Sequence, residues 1–134
     1  MARAGDFYEV ELKEPHLGWG TYRSTNTRER REGEAYIQIP ADIARSYNLL
    51  NSNGTGGRDV WGENLFRCTS TDGFFNGVLR AQGSSFAESI YAKQFSGDKN
   101  LRAVGDWYDA IGAQVGDIVK VTWVSNVDIV IEKL

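Results

Sequence analysis

Two groupings of side chains in this chain have the composition that chemistry requires. The first is Glu11-Leu12-Lys13, which has the Glu-x-Lys spacing of half a metal-dependent nuclease site. That chemistry needs a further metal-binding carboxylate, and the nearest candidate, Asp6, lies on the same expected strand, where it cannot converge on Glu11. A charged solvent face is the simpler reading of these residues. The second is an arginine cluster, Arg23, Arg28, Arg30 and Arg31, set among Thr21, Ser24, Thr25, Asn26 and Thr27. Arginine grips phosphates and reads guanine through O6 and N7, asparagine reads adenine edge-on, and hydroxyls suit backbone contacts. The plain counter-reading is a solvated loop with surface ion pairs, such as Arg28 or Arg30 with Glu32.

Other catalytic sets are missing their members. His16 is the only histidine, so neither a histidine-dependent nucleophile nor a two-histidine zinc site can form within one chain. Asp106 and Asp109 lie three apart on an expected helix, where capping or solvation accounts for them. The Gly54 to Gly57 run lacks the Lys-Ser/Thr of a phosphate-binding loop. No cofactor or metal is implied.

The formal charge of -3 argues mildly against nucleic-acid binding, but it is a global sum. Residues 16 to 31 hold four arginines and His16 against one acid, Glu29, whereas residues 5 to 14 hold four acids against Lys13. The basic charge is therefore local. A second polar cluster, Arg80, Gln82, Ser84, Ser85 and Lys93, follows further on. It reads either as a strand end with its loop or as a second contact region on the same side as the first.

These side chains must be positioned by a scaffold of 134 residues, which suits one domain spanning 1–134. With 41% hydrophobic and 25% charged residues, the composition is that of a globular protein. No apolar run approaches the roughly 20 residues of a membrane span, and no signal-peptide core opens the chain, so a cytoplasmic location is expected. Cys68 has no partner for an internal disulfide and reads as a buried thiol. Trp19, Tyr22, Trp61 and Phe86 have packing as their default role, with stacking by Tyr22 as a lesser option.

The alternation of Phe7, Val10 and Leu12 with Glu9 and Glu11 predicts a strand over 6–14. Residues 16–34 lack periodicity and form a long loop or arm. A strand over 34–40 carries Ala35, Ile37 and Ile39 on one face, Pro40 ends it, and a short helix packs Ile43, Ala44 and Tyr47. After a loop at 51–59, a strand at 64–70 turns back through Asp72-Gly73, a two-residue hairpin signal, into a strand over 74–83. Residues 86–95 read as helical or irregular, and 101–111 as an amphipathic helix with Leu101, Val104, Tyr108 and Ile111 on one side. Two strands joined near Ser125-Asn126 finish the chain. Short, mostly antiparallel strands with few helices predict a small or open barrel.

Several segments together carry a resemblance: "GWGTYRSTNTRERREGEAYIQIP", "LFRCTSTDGFFNGVLRAQG" and the closing "VGDIVKVTW … DIVIEKL". Trp19-Gly20 with a displaced Arg23, Ala35 to Pro40, Asp72-Gly73 and Ala81-Gln82 fall where this family has its motifs. The chain from Leu17 on resembles the B3-like DNA-recognition domain at the C-terminus of phospholipase-D-type (NgoFVII-like) restriction endonucleases. That domain is similar to the plant B3 domain and to the effector domains of BfiI- and EcoRII-like enzymes. The resemblance implies a mainly β, seven-stranded open pseudobarrel with short helices. It also implies sequence-specific binding of double-stranded DNA by two arms in one major groove. The first arm would be roughly Trp19 to Arg31 and the second roughly Arg80 to Lys93; within the first, side-chain chemistry makes Thr21, Tyr22, Ser24 and Asn26 candidate contacts beside the arginines. No phospholipase-D His-x-Lys motif is present, so cleavage would fall to a separate or fused nuclease, and the isolated domain is expected to be a monomer. The readings kept beside this one are a protein- or carbohydrate-binding β-domain, a nuclease built on Glu11 and Lys13, and a reader of modified bases using Tyr22 or Trp61.

Overall fold

The computed structural model describes residues 2–13, 35–52, 59–83, 90–100 and 102–134. Within them are seven strands, most of them with inside-outside alternation: β1 (Phe7–Glu11), β2 (Ile37–Gln38), β3 (Leu65–Ser70), β4 (Asn76–Gln82), β5 (Gln94–Gly97), β6 (Ile118–Trp123) and β7 (Asp128–Lys133). Two helices join them, α1 (Ala41–Ser46) after β2 and α2 (Ala103–Ala110) after β5. The strands form one sheet in the order β1-β6-β7-β3-β4-β5-β2. Every pair is antiparallel except β3 with β7, where Cys68 lies opposite Ile129.

The sheet curls almost into a barrel whose seam lies between β1 and β2. Side chains bridge that seam in place of a backbone ladder. The Tyr8 hydroxyl donates to the Gln38 carbonyl and the Tyr47 hydroxyl to the Phe7 carbonyl, while the Tyr108 hydroxyl ties α2 to the Tyr36 carbonyl at the entry to β2. Each tyrosine thus packs an apolar ring inward while its polar tip satisfies an edge-strand acceptor. Inside, Trp123 sits at the centre of an aromatic cluster with Tyr8, Tyr47, Phe66 and Phe95, at ring separations of 5.2 to 6.4 Å. Cys68 is buried beside them, and burial pushes its thiol well above the usual range.

Local chemistry explains the helices and the hairpin. Pro40 occupies the α1 N-cap position, Asp42 lies in its first turn and Arg45 in its last, in accord with the helix dipole. α2 buries Val104, Trp107 and Tyr108 and ends at Gly112, whose positive φ of 64° lets Ala113 N–H reach back to the Tyr108 carbonyl. The β3–β4 connection runs through five residues instead of the two that Asp72-Gly73 suggests, because Phe75 must return to the core. Ser70 pairs with Phe75 across its base. Asp72 accepts from the Ser70 hydroxyl, the Phe74 N–H and the Trp107 indole N–H, which clasps the hairpin to α2.

Besides the hairpin length, the structure corrects four sequence readings. Tyr8 rather than Phe7 points inward, since Val10 and Leu12 share the parity of Tyr8; Phe7 is exposed beneath the Lys120 ammonium at 4.6 Å. Residues 94 and 95, at the end of the 86–95 stretch expected to be helical or irregular, belong to β5, which runs on to Gly97. Trp61, expected to pack, is 48% exposed. The first strand ends at Glu11 instead of reaching residue 14. Leu101, Phe86, Trp19 and Tyr22 lie outside the described residues.

Candidate nucleic-acid interface

The strand pairings fix where the two polar segments attach. β1, β3, β5 and β7 run one way, and β2, β4 and β6 the other. The segment between β1 and β2 therefore leaves and re-enters the sheet at one end, after Lys13 and before Ala35. The segment between β4 and β5 leaves at the other end, after Gly83 and before Ile90. The two attachments thus sit at opposite ends of the strands. Between them runs β5, flanked by β4 and β2. Four residues at roughly 3.3 Å each make that span about 10 to 13 Å.

Of the candidate contact residues, Trp19, Thr21, Tyr22, Arg23, Ser24, Asn26, Arg28, Arg30, Arg31, Ser84 and Ser85 lie outside the described residues. Arg80, Gln82 and Lys93 lie within them, close together at the root of the second segment. Their local roles differ.

Arg80 is committed to carboxylates. Its Nε and Nη2 donate to Asp98 at 2.9 and 2.6 Å, and its Nη1 donates to Asp59 at 2.7 Å. Partial burial works against its charge, yet the two carboxylates outweigh burial and hold its pKa above the ordinary value. The guanidinium thus ties β4 to the end of β5 and to the chain entering the 60–64 turn.

Gln82 belongs to a row. It lies opposite Gln94 of β5, which lies opposite Gln38 of β2, and all three are half-buried on the outward side of the sheet. Their neighbours Ala81, Phe95 and Ile37 point into the core. Adjacent strands lie about 4.8 Å apart, so the row presents three amide-bearing side chains at that spacing. One rung along, Ser96 lies opposite Arg80, and its hydroxyl accepts from the Gln94 amide at 3.4 Å. Sequence reasoning identified only Gln82, because the row exists only once residues 94–97 are recognised as a strand.

Lys93 is held by its backbone and left open at its side chain. Its N–H donates to the Gln82 carbonyl, and its carbonyl accepts from Ile39, so the residue is pinned between β4 and β2. The side chain itself is exposed. Gly83, next to the row, donates its N–H to the buried Asn51 side chain at 2.8 Å, which fixes where the second segment departs.

The alternative metal site does not assemble. Glu11 and Lys13 are exposed at one end of β1, and Asp6 lies at the other, roughly 17 Å away by strand rise. Asp6 is engaged with the Arg3 N–H at 2.9 Å. Among the described residues, no three His, Cys, Asp or Glu side chains are grouped to hold a metal ion. No helix there is long and apolar enough to cross a membrane.

No family model and no curated protein sequence matches the chain. Two solved structures share its fold. The N-terminal domain of Helicobacter pylori LlaJI.R1 superposes with a TM-score of 0.55 at 11% identity, over 96% of this chain and 87% of that one. The Arabidopsis FUS3–DNA complex superposes with a TM-score of 0.52 at 19% identity, over 96% of each chain. The architecture is that of the B3-like pseudobarrel: among the described residues, an almost closed seven-stranded barrel with two short helices.

Proposed function

We propose that this B3-like pseudobarrel is a sequence-specific double-stranded DNA-binding module of restriction–modification type. In this reading it has no catalysis of its own, acts as a monomeric domain in the cytoplasm, and serves a nuclease that is fused to it or separate. One observation carries the reading: the barrel shared with the FUS3–DNA complex has its arginine-rich insertion in the connection between its two seam strands. The attachments of the two polar segments support it further. They lie at opposite ends of β5, and the span between them is comparable to a major groove about 12 Å wide.

Residues 19–31 and 80–93 act as two arms that straddle one groove. Arg23, Arg28, Arg30 and Arg31 take phosphates and guanines, while Asn26 and Gln82 read adenine edges. Trp19, Thr21, Tyr22, Ser24, Ser84 and Ser85 complete the contacts, and Lys93 takes a phosphate. Arg80, bound to two aspartates, acts as a positioning residue that fixes the root of the second arm.

Selection from randomised duplexes, followed by binding titrations of the recovered site, tests the reading. A preferred sequence should emerge. Replacing all four arm arginines with alanine should weaken binding and flatten its salt dependence by about 0.9 for each phosphate no longer neutralised. Unchanged affinity in that variant rejects the arm assignment, and absence of salt-sensitive binding by the intact chain favours a protein- or carbohydrate-binding domain. The half-exposed Trp61 favours one variant of the reading, recognition of a modified base by stacking. Stronger binding to methylated than to plain duplex, abolished in Trp61→Ala, identifies that variant.

A further inference from the structure

Beside the root of the second arm lies an open groove of about 290 Å³. One wall is α1, which contributes Ala41 and Arg45; the other is the chain entering β5, which contributes Tyr91 and Lys93, and Gln38 lines it as well. Both walls are anchored. Ala44 of α1 is fully buried, and the carbonyls of Pro40 and Ile43 hold the helical turns. The opposite wall is fixed by the bridge between Tyr91 and Leu50, by the Ala92 N–H on the Leu49 carbonyl, and by the two backbone bonds of Lys93. The groove is thus built from rigid backbone and lined by two exposed cationic side chains.

Among the described residues those two cations are uncommitted. Arg67 is forked onto Asp128, Arg80 onto Asp59 and Asp98, Lys133 pairs with Asp117, and Lys120 caps the Phe7 ring. Arg45 and Lys93 make no ion pair or side-chain hydrogen bond within the described residues. The nearest acid in sequence, Asp42, is exposed on the same helix but does not line the groove. The net charge of the described lining residues is therefore positive, and Gln38 and Tyr91 add polar groups to it.

We infer that this groove is a phosphate-anchoring subsite for the DNA backbone, with Arg45 and Lys93 each neutralising a phosphate of the same strand. The inference rests on the DNA-binding reading and adds to it a contact from α1, outside both arms. The groove adjoins Gln38, the end of the glutamine row, so a backbone held there would bring base edges towards Gln94 and Gln82. Its contribution is independent of sequence, because a phosphate carries no base identity.

The test is fluorescence anisotropy of the full chain with its selected duplex and a scrambled one, between about 50 and 200 mM salt. In Arg45→Ala/Lys93→Ala the slope of log affinity against log salt should fall by about 1.8, two phosphates at about 0.9 each. Affinity for the two duplexes should drop by the same factor, and the thermal midpoint should fall by no more than the loss of the exposed Arg45 charge from the last turn of α1 allows, at most a few degrees. Arg45→Lys/Lys93→Arg, which keeps both charges, should retain the wild-type slope. An unchanged slope in the alanine variant, with wild-type binding intact, overturns the subsite. So does a drop confined to the selected duplex, which would make Arg45 or Lys93 a base reader. If the wild-type chain binds neither duplex, the DNA reading fails and this subsite fails with it.

Discussion

The Tyr8 hydroxyl donates a 2.9 Å hydrogen bond to the carbonyl of Gln38, joining β1 to β2 where the two edge strands share no ladder. The ring that carries this hydroxyl lies in the core, 6.2 Å from Trp123. One side chain therefore both fills the barrel and closes it. Tyr8→Phe keeps the ring and removes the donor, leaving the Gln38 carbonyl without it. The expected loss is about 1 kcal/mol, read from urea denaturation. If the subsite at Gln38 is also placed by this bond, the variant should weaken duplex binding as well.

The Arg80 fork gives a second expectation. Arg80→Ala leaves Asp59 and Asp98 without their shared cation and should cost about 1–2 kcal/mol, less than a fully buried pair because all three groups retain some solvent. Arg80→Lys should recover only part of it, since an ammonium cannot reproduce the fork. Adding Asp98→Asn to the alanine variant should restore stability, a sign that repulsion is what was left behind. A double-mutant cycle in urea provides the comparison.

Asp72 makes stability depend on acid. Desolvation acts to raise its pKa, but the hydrogen bonds from Ser70, Trp107 and Phe74 prevail and hold the carboxyl below the ordinary range. A depressed folded-state pKa means the contribution is present above the unfolded value near about 3.9 and is lost as pH falls from there through the folded value. The Trp107 emission and the thermal midpoint should therefore decline together below about pH 4. In Asp72→Asn the midpoint should be lower at neutral pH and fall less steeply in acid.

Gly97 closes β5 against the entry to α2. A Cβ built there meets the Asn100 carbonyl oxygen and lies 2.7 Å from the Ala103 Cβ, and the oxygen is backbone and cannot swing away. Gly97→Ala should destabilise by about 1–3 kcal/mol, measured by denaturation. Gly77→Ala makes the control, because its added methyl meets only the Phe75 ring at 3.8 Å.

For recognition, Gln82→Ala should relax preference at one adenine position by about 1–3 kcal/mol while leaving the salt slope unchanged. Selection profiles of the variant and the parent give the comparison. A flattened salt slope instead would move Gln82 from the base edges to the backbone.

The fold was largely legible because its signals are local. The parity of Ala35, Ile37 and Ile39, the break at Pro40 and the closing apolar runs each reflect one strand's inside-outside alternation. The misreadings arose where the decisive partner is distant. Gln94–Gly97 is too short to show a period, and the buried Ser96 lies opposite Arg80 of β4, a neighbour distant in sequence. Phe7 and Tyr8 are both aromatic, and the register against β6 decides which one enters the core. At the site, Arg80 has the composition of a contact residue, but its two aspartates come from positions 59 and 98, which no spacing rule connects to it. Arg45 carried no signal at all, since its openness is a property of what does not surround it.

The pairing of β1 with β6 has a consequence for how the chain is made. Phe7 finds its partner in Thr122, so the first strand must wait, with an unsatisfied edge, until β6 has left the ribosome. The parallel β3–β7 pair imposes the same delay on β3, whose neighbour Ile129 comes later still. The β3–β4 hairpin, clasped by Ser70 and Asp72, can form early; the barrel cannot. Closure is thus a late and non-local event, slow by the measure of contact order. A ribosome-stalled chain ending before residue 118 should show hairpin protection in hydrogen exchange without protection of β1.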